Sequence, residues 1–157
     1  MANGSLEDAL YKKKQSLSLR RKFEIALDVL RGLRVLHRKG IIHKDIKPDN
    51  IFLDQFMMAK IGDYGVMFHT EKRTKGYYTD QMAPLTRAPL LELLLLTPTT
   101  AFDMFQFGLL LNEIYTEVPI ESASGENKSE FFSEIIEQLT SSKPSDRPTS
   151  GELLDKF

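Results

Sequence analysis

Ile42-His43-Lys44-Asp45-Ile46-Lys47-Pro48-Asp49-Asn50, followed further on by Asp63-Tyr64-Gly65, is where the organisation of this chain shows itself. Pro48 fixes its own φ and pushes Lys47 out of helical geometry, so the segment is an irregular loop. Helical periodicity precedes it and short strand-like runs follow it. Loops between regular elements are where chemical groups are often presented. A carboxylate (Asp45), an ammonium (Lys47) and an amide (Asn50) stand close together in this one. Together they can orient a hydroxyl, neutralise a phosphate and bind a metal. Asp63 ends the strand-like run that follows, and Gly65 lets the chain turn sharply just after it. Each residue alone reads as a solvated turn position. Their joint occurrence, in this order, is hard to attribute to chance.

Working outward, Ser5-Leu6-Glu7-Asp8 reads as a capping box that opens a short helix. Ser18 can cap a longer helix in which Leu19, Phe23, Ala26, Leu27, Leu30 and Leu33 recur at three- and four-residue steps. Gly40 ends it. Ile51-Phe52-Leu53 and Met58-Ala59-Lys60-Ile61 are strand candidates around an Asp54-Gln55 turn, which predicts a small hairpin. From Asp63 to about Pro89 the chain is polar and irregular, a long loop of the kind that is usually functional. Thr100 is expected to cap a helix to about Tyr115, apolar nearly all round and therefore buried and central. A polar linker from Pro119 to Lys128 precedes a helix that Asn127-Lys128-Ser129-Glu130 can cap, bearing Phe131, Phe132, Ile135, Ile136 and Leu139. Thr149 to Glu152 can cap the last one. The fold class expected is mainly α around one buried helix, with a small β-hairpin carrying the chemistry.

Composition narrows the function classes. The 157 residues suit one domain with a sizeable core, and a formal charge of −1 gives no electrostatic reason to expect nucleic acid or an anionic membrane as partner. The absence of cysteine excludes disulfides and thiolate zinc sites and suits a reducing, cytoplasmic setting. No signal-peptide pattern is visible at the start. The longest apolar run, Leu90 to Leu96, is interrupted by Glu92 and is too short to span a bilayer.

With the residues set out, the chain resembles the C-terminal lobe of a eukaryotic-type protein kinase. His43-Lys44-Asp45 with Lys47-Pro48 and Asn50 resembles the family's catalytic loop, in its serine/threonine version. Asp63-Tyr64-Gly65 resembles the magnesium-binding triplet, usually Asp-Phe-Gly. Asp103-Met104-Phe105-Gln106-Phe107-Gly108 resembles the start of the central helix, usually Asp-x-Trp-Ser-x-Gly. Asp146-Arg147-Pro148-Thr149 resembles the closing Arg-Pro motif. The resemblance implies that Asp45 is the catalytic base, Lys47 the γ-phosphate contact, and Asn50 and Asp63 the magnesium ligands. It implies an adenine floor at Phe52, structural roles for His43, Tyr64, Gly65 and Arg147, and a tie from Asp103 to the catalytic loop. The cofactors implied are ATP and Mg2+, and the partner a protein substrate or a partner kinase. Asn3-Gly4-Ser5-Leu6, like Ala59-Lys60-Ile61 before Asp63-Tyr64-Gly65, points to the tyrosine-kinase-like branch, similar to leucine-rich-repeat (Roco-type) kinases.

The resemblance also divides the chain: hinge and first helix at 1–16, long helix and catalytic loop at 17–50, hairpin and activation segment at 51–92, central and C-terminal helices at 99–157. Several positions depart from the pattern. Lys44 stands where an arginine is usual and is a poorer bidentate partner for a loop phosphate, although Thr70, Thr74, Thr79 and Thr86 are available for modification. Ala88-Pro89-Leu90 lacks the glutamate that normally pairs with the arginine at Arg147, which leaves Glu92 as the nearest substitute. The linker after Pro119 is short where the family has a further helix. By the same resemblance Met1 falls at the hinge, so the N-lobe, with its Gly-rich loop, strand lysine and glutamate partner, is expected to be absent. The expectation is a truncated kinase lobe, inactive alone, whose missing-lobe surface another segment or chain covers. The alternative is a non-catalytic, pseudokinase-like interaction module.

Overall fold

The structure, a computed structural model, describes residues 3–12, 16–62, 99–119 and 132–157. In chain order these form α1 (Leu19–Arg38), β1 (Ile51–Leu53), β2 (Ala59–Ile61), α2 (Thr100–Thr116), α3 (Ser133–Leu139) and α4 (Ser150–Leu154). A π-helical turn at Asp8–Lys12 precedes α1, and 3-10 turns at Pro48–Asn50 and Pro144–Asp146 precede β1 and α4. The described residues are thus mostly helical, with one two-stranded antiparallel sheet. Among them, no helix is long and apolar enough to cross a membrane.

The Ser18 hydroxyl accepts the Arg21 N–H at 3.3 Å and opens α1. Ile25, Ala26, Val29, Leu30 and Leu33 bury one stripe of that helix. Gly40, at φ 70°, reverses the chain after it, and the Ile41 N–H closes on the Leu36 carbonyl at 3.0 Å. The helix therefore delivers residues 41–50 back against the core. Ile46, wholly buried, pins the middle of that loop.

The hairpin pairs Ile51 with Ile61, Phe52 with Lys60 and Leu53 with Ala59. Its turn is held by Asp54, whose Oδ1 accepts from the Phe56 and Met58 N–H groups at 2.9 and 3.0 Å. Residues 3–5 run beside β1: Leu53 N–H donates to the Gly4 carbonyl and Asn3 N–H to the Leu53 carbonyl.

Helix α2 is the buried centre. Phe102, Met104, Phe107, Leu110, Leu111 and Ile114 are all buried on it, and it packs against α1 and α3. Two details differ from the sequence expectation. Thr99, not Thr100, holds the N-cap position, and its side chain makes no cap bond. Four polar side chains, Asp103, Gln106, Asn112 and Glu113, share the burial. The apolar periphery hid them, since burial from every side is set by the helix's place in the fold. Phe132 stands at the N-cap position of α3 without a cap bond, while the 127–130 cap and Phe131 lie outside the described residues. At α4 the capping box forms: Thr149 Oγ1 accepts from the Glu152 N–H, and the Glu152 carboxylate accepts from the Thr149 N–H at 2.8 Å.

Candidate active site

The loop at residues 41–50 hangs from α2 through bonds to its backbone. Asp103, with no exposed surface, accepts the His43 N–H at 2.8 Å on Oδ2 and the Lys44 N–H at 2.7 Å on Oδ1. His37, near the end of α1, brings Nε2 to Asp103 Oδ2 at 2.9 Å and Nδ1 to Ser150 Oγ at 3.1 Å. These contacts matter because Lys44 sits at φ 72°, a left-handed conformation. For an L-residue that costs roughly 1–2 kcal/mol, so it persists only where its surroundings enforce it. Gln106, one helical turn after Asp103, adds two bonds. Its Oε1 accepts the Ile46 N–H at 2.9 Å and its Nε2 donates to the Lys44 carbonyl at 3.1 Å.

His43 is 2 % exposed and links two segments of the site. Its Nε2 lies 2.7 Å from the Gly62 carbonyl and its Nδ1 faces the Asp45 N–H at 3.3 Å. An N–H can only donate, so Nδ1 accepts and the ring hydrogen sits on Nε2, directed at Gly62. Gly62 is held from its other side too, its N–H donating to the Asn50 carbonyl at 2.8 Å. The residue just before Asp63 is thereby fixed to the loop that carries Asp45.

At the open end of the loop, Asp45 Oδ2 accepts from Asn50 Nδ2 at 2.8 Å and lies 3.1 Å from Lys47 Nζ. The side chains of Lys47 and Asp45 keep 30 % and 42 % of their exposure. An ion pair that wet contributes at most about 1 kcal/mol to stability, so its consequence is orientation. Asn50 Nδ2 also donates to the Asp45 carbonyl at 2.8 Å. Both acceptors demand hydrogens, which fixes the amide's orientation and leaves Asn50 Oδ1, a hard oxygen donor, for a cation. The residues present therefore fit a magnesium site as far as Asn50 takes it.

Phe52 is half-buried in β1, bridged to Ser5 and lying against Gly62, where an added Cβ would come within 2.6 Å of its ring. Asp63, Tyr64 and Gly65 lie outside the described residues, as do the loop threonines, Leu90 and Glu92. Arg147 is buried beside the start of α2. Its Nε donates to the Ser141 carbonyl and its Nη1 to the Ala101 carbonyl, both at 2.9 Å, and the guanidinium lies 4.9 Å from the centre of the Phe105 ring. These contacts house the buried cation and link residues 141–147 to α2.

Two residues that sequence reasoning passed over, His37 and Gln106, belong to this scaffold. Their positions carried a signal. His37 follows Leu30 and Leu33 on the buried stripe of α1, and Gln106 is one turn beyond Asp103 on α2. A polar side chain on a buried face needs a partner.

Comparison with known proteins identifies the family. A profile of the protein tyrosine and serine/threonine kinase family matches residues 1–154, and the chain belongs to that family. It is 31% identical to a Dictyostelium discoideum protein described as a probable serine/threonine-protein kinase, over 99% of this chain and 28% of the relative. It is 32% identical to the membrane-associated tyrosine- and threonine-specific cdc2-inhibitory kinase wee-1.3 of Caenorhabditis elegans, covering 85% of this chain and 22% of that protein. With the receptor protein-tyrosine kinase CEPR1 of Arabidopsis thaliana the identity is 35%, covering 82% and 14%. The chain thus spans under a third of the length of each of these relatives.

Proposed function

We propose that this chain supplies the hydroxyl-orienting and metal-binding half of a serine/threonine protein kinase, acting on protein hydroxyls. The observation that carries the proposal is the grip on Asp45. Lys47 and Asn50 both hold Oδ2, which leaves Oδ1 to accept the hydrogen of an incoming hydroxyl. Lys47 Nζ stands close enough to Asp45 to offset negative charge gathering beside it. Asn50 Oδ1 and Asp63 would hold magnesium. ATP, when bound with that metal, supplies the phosphoryl group; the chain's own contribution is position and charge, which is nearly all such catalysis requires. Lys47-Pro48 supports the serine/threonine preference. Asp63-Tyr64-Gly65 and Ala59-Lys60-Ile61 support the tyrosine-kinase-like, Roco-type branch.

Residues 1–157 contain no Gly-rich loop and no strand lysine to hold the α- and β-phosphates. That grip must come from residues outside this stretch, in the same protein or in a second chain. Losing several charge-assisted phosphate contacts, at about 1.5–3 kcal/mol each, weakens nucleotide binding by several powers of ten. The test is radiolabelled phosphate transfer to a generic protein substrate. Residues 1–157 alone should show none. Fusion to the nucleotide-gripping lobe of a related kinase should yield activity that Asp45→Asn abolishes. Robust transfer by residues 1–157 alone would refute the division of labour. A fusion that binds ATP yet stays inert would favour the interaction-module alternative.

A further inference from the structure

We infer that Gln106 is a positioning residue for Asp45, its buried side-chain amide holding the peptide groups on both sides of that aspartate. The inference rests on the catalytic reading of Asp45. The Lys44 carbonyl belongs to the peptide plane before Asp45 and the Ile46 N–H to the plane after it. Gln106 bonds both, at 3.1 and 2.9 Å. Those two planes define φ and ψ of Asp45, so one rigid amide sets the direction in which the carboxylate leaves the backbone. Gln106 is 1% exposed, so water cannot substitute for it.

The residue type is suited to this task. An amide carries an acceptor and a donor side by side, complementary to the N–H and carbonyl it meets. The serine usual in the resembling pattern has one oxygen directly on Cβ, two bonds short of where the Gln106 amide acts. Asp103 fixes Lys44 from its N–H side and Gln106 from its carbonyl side. The left-handed residue is therefore clamped at both ends, and Asp45 begins where the second clamp takes hold.

Two variants test it, in the chain fused to a nucleotide-gripping lobe and in residues 1–157 alone. Gln106→Met keeps the length and removes both bonds. Gln106→Glu keeps an acceptor for Ile46 but sets a carboxylate against the Lys44 carbonyl, and regains a donor there when protonated. In the fusion, Gln106→Met should lower kcat by about tenfold to a hundredfold with the KM for ATP little changed, because position and not nucleotide binding is lost. The ratio of Gln106→Glu to wild-type activity should rise as pH falls, because burial favours the protonated acid. In residues 1–157 alone, Ile46 amide exchange should quicken in Gln106→Met and less so in Gln106→Glu. Unchanged kcat in Gln106→Met overturns the inference, whether or not exchange quickens. So does a Gln106→Glu ratio that ignores pH. A wild-type fusion that transfers no phosphate removes the catalytic reading itself, and the positioning role with it. The exchange rates then report only whether the amide clamp exists.

Discussion

Replacing Asp103 by asparagine probes the attachment between α2 and the loop at residues 41–50 with almost no change of shape. The carboxylate now receives three donors: Lys44 N–H on one oxygen, His43 N–H and His37 Nε2 on the other. An asparagine must place its NH2 on one of these sides. The cheaper choice sets it against Lys44, losing one bond and leaving a buried donor facing a donor. The other two bonds survive with a neutral acceptor, at about 0.5–1.5 kcal/mol each in place of about 1.5–3. The expected total is about 3–5 kcal/mol, a large share of the roughly 5–15 kcal/mol that usually holds a domain together. Part of this cost is offset at the left-handed Lys44, which can relax once the bond that enforces it is lost. Lys44→Gly removes that strain, worth roughly 1–2 kcal/mol, beforehand, so no relief is left and Asp103→Asn should cost about 1 kcal/mol more in a Lys44→Gly background. Urea denaturation of the four proteins of this cycle, followed by circular dichroism, supplies the values. A cost for Asp103→Asn below about 1 kcal/mol, or one indifferent to Lys44→Gly, would refute the reasoning that Asp103 holds the loop by enforcing Lys44.

Two further outcomes follow from contacts away from the loop. Gly108→Ala would bring a Cβ within 2.7 Å of Leu139 Cβ and 3.0 Å of Thr140 Cγ2, so α2 and α3 must part; a loss of about 1–3 kcal/mol in thermal or urea denaturation is expected, and a neutral result would show that α3 does not pack there. Glu117 fastens the end of α2 to the start of α1, accepting from Ser16 Oγ, the Leu17 N–H and Lys22 Nζ. Burial alone would raise its carboxyl, but the bonds from Ser16, Lys22 and Leu17, with the Lys22 charge, outweigh burial and hold it below its ordinary value of 4.5. A folded-state value below the unfolded one means stability present above about 4.5 and lost as pH falls through the lower folded value. Glu117→Gln should therefore be less stable than wild type near neutrality and show a shallower loss in acid; equal acid slopes would show that this carboxylate does not contribute to the acid dependence.

The elements were legible where local chemistry sets them. Ser18, Gly40, the Asp54 turn and the Thr149–Glu152 box act within a few residues of themselves, so their sequence spacing is their structure. The burial of α2 was legible from its apolar periphery. The partners of Asp103 and Gln106 were not, because those bonds join α2 to residues some sixty positions earlier: the sequence separation is 60 for Asp103 with His43 and for Gln106 with Ile46. No periodicity encodes a contact of that range. A family pattern can mark Asp103, since its position is shared. It passes over Gln106, where this chain differs from the usual serine.

That contrast explains how the loop can be both irregular and rigid. A segment with a proline and a left-handed lysine cannot satisfy its own backbone groups through helix or sheet. Three N–H groups, of His43, Lys44 and Ile46, and one carbonyl, of Lys44, are taken up by side chains of α2. The Asp45 N–H and carbonyl go to His43 and Asn50 within the loop. Irregular backbone from His43 to Ile46 is thereby held chiefly by side chains, with the Asp45 carboxylate still open to solvent at one side. Such an arrangement requires a deeply buried helix that carries polar groups on the face toward the loop. The burial of Asp103 and Gln106 is the cost that an apolar core accepts so that Asp45 holds one direction.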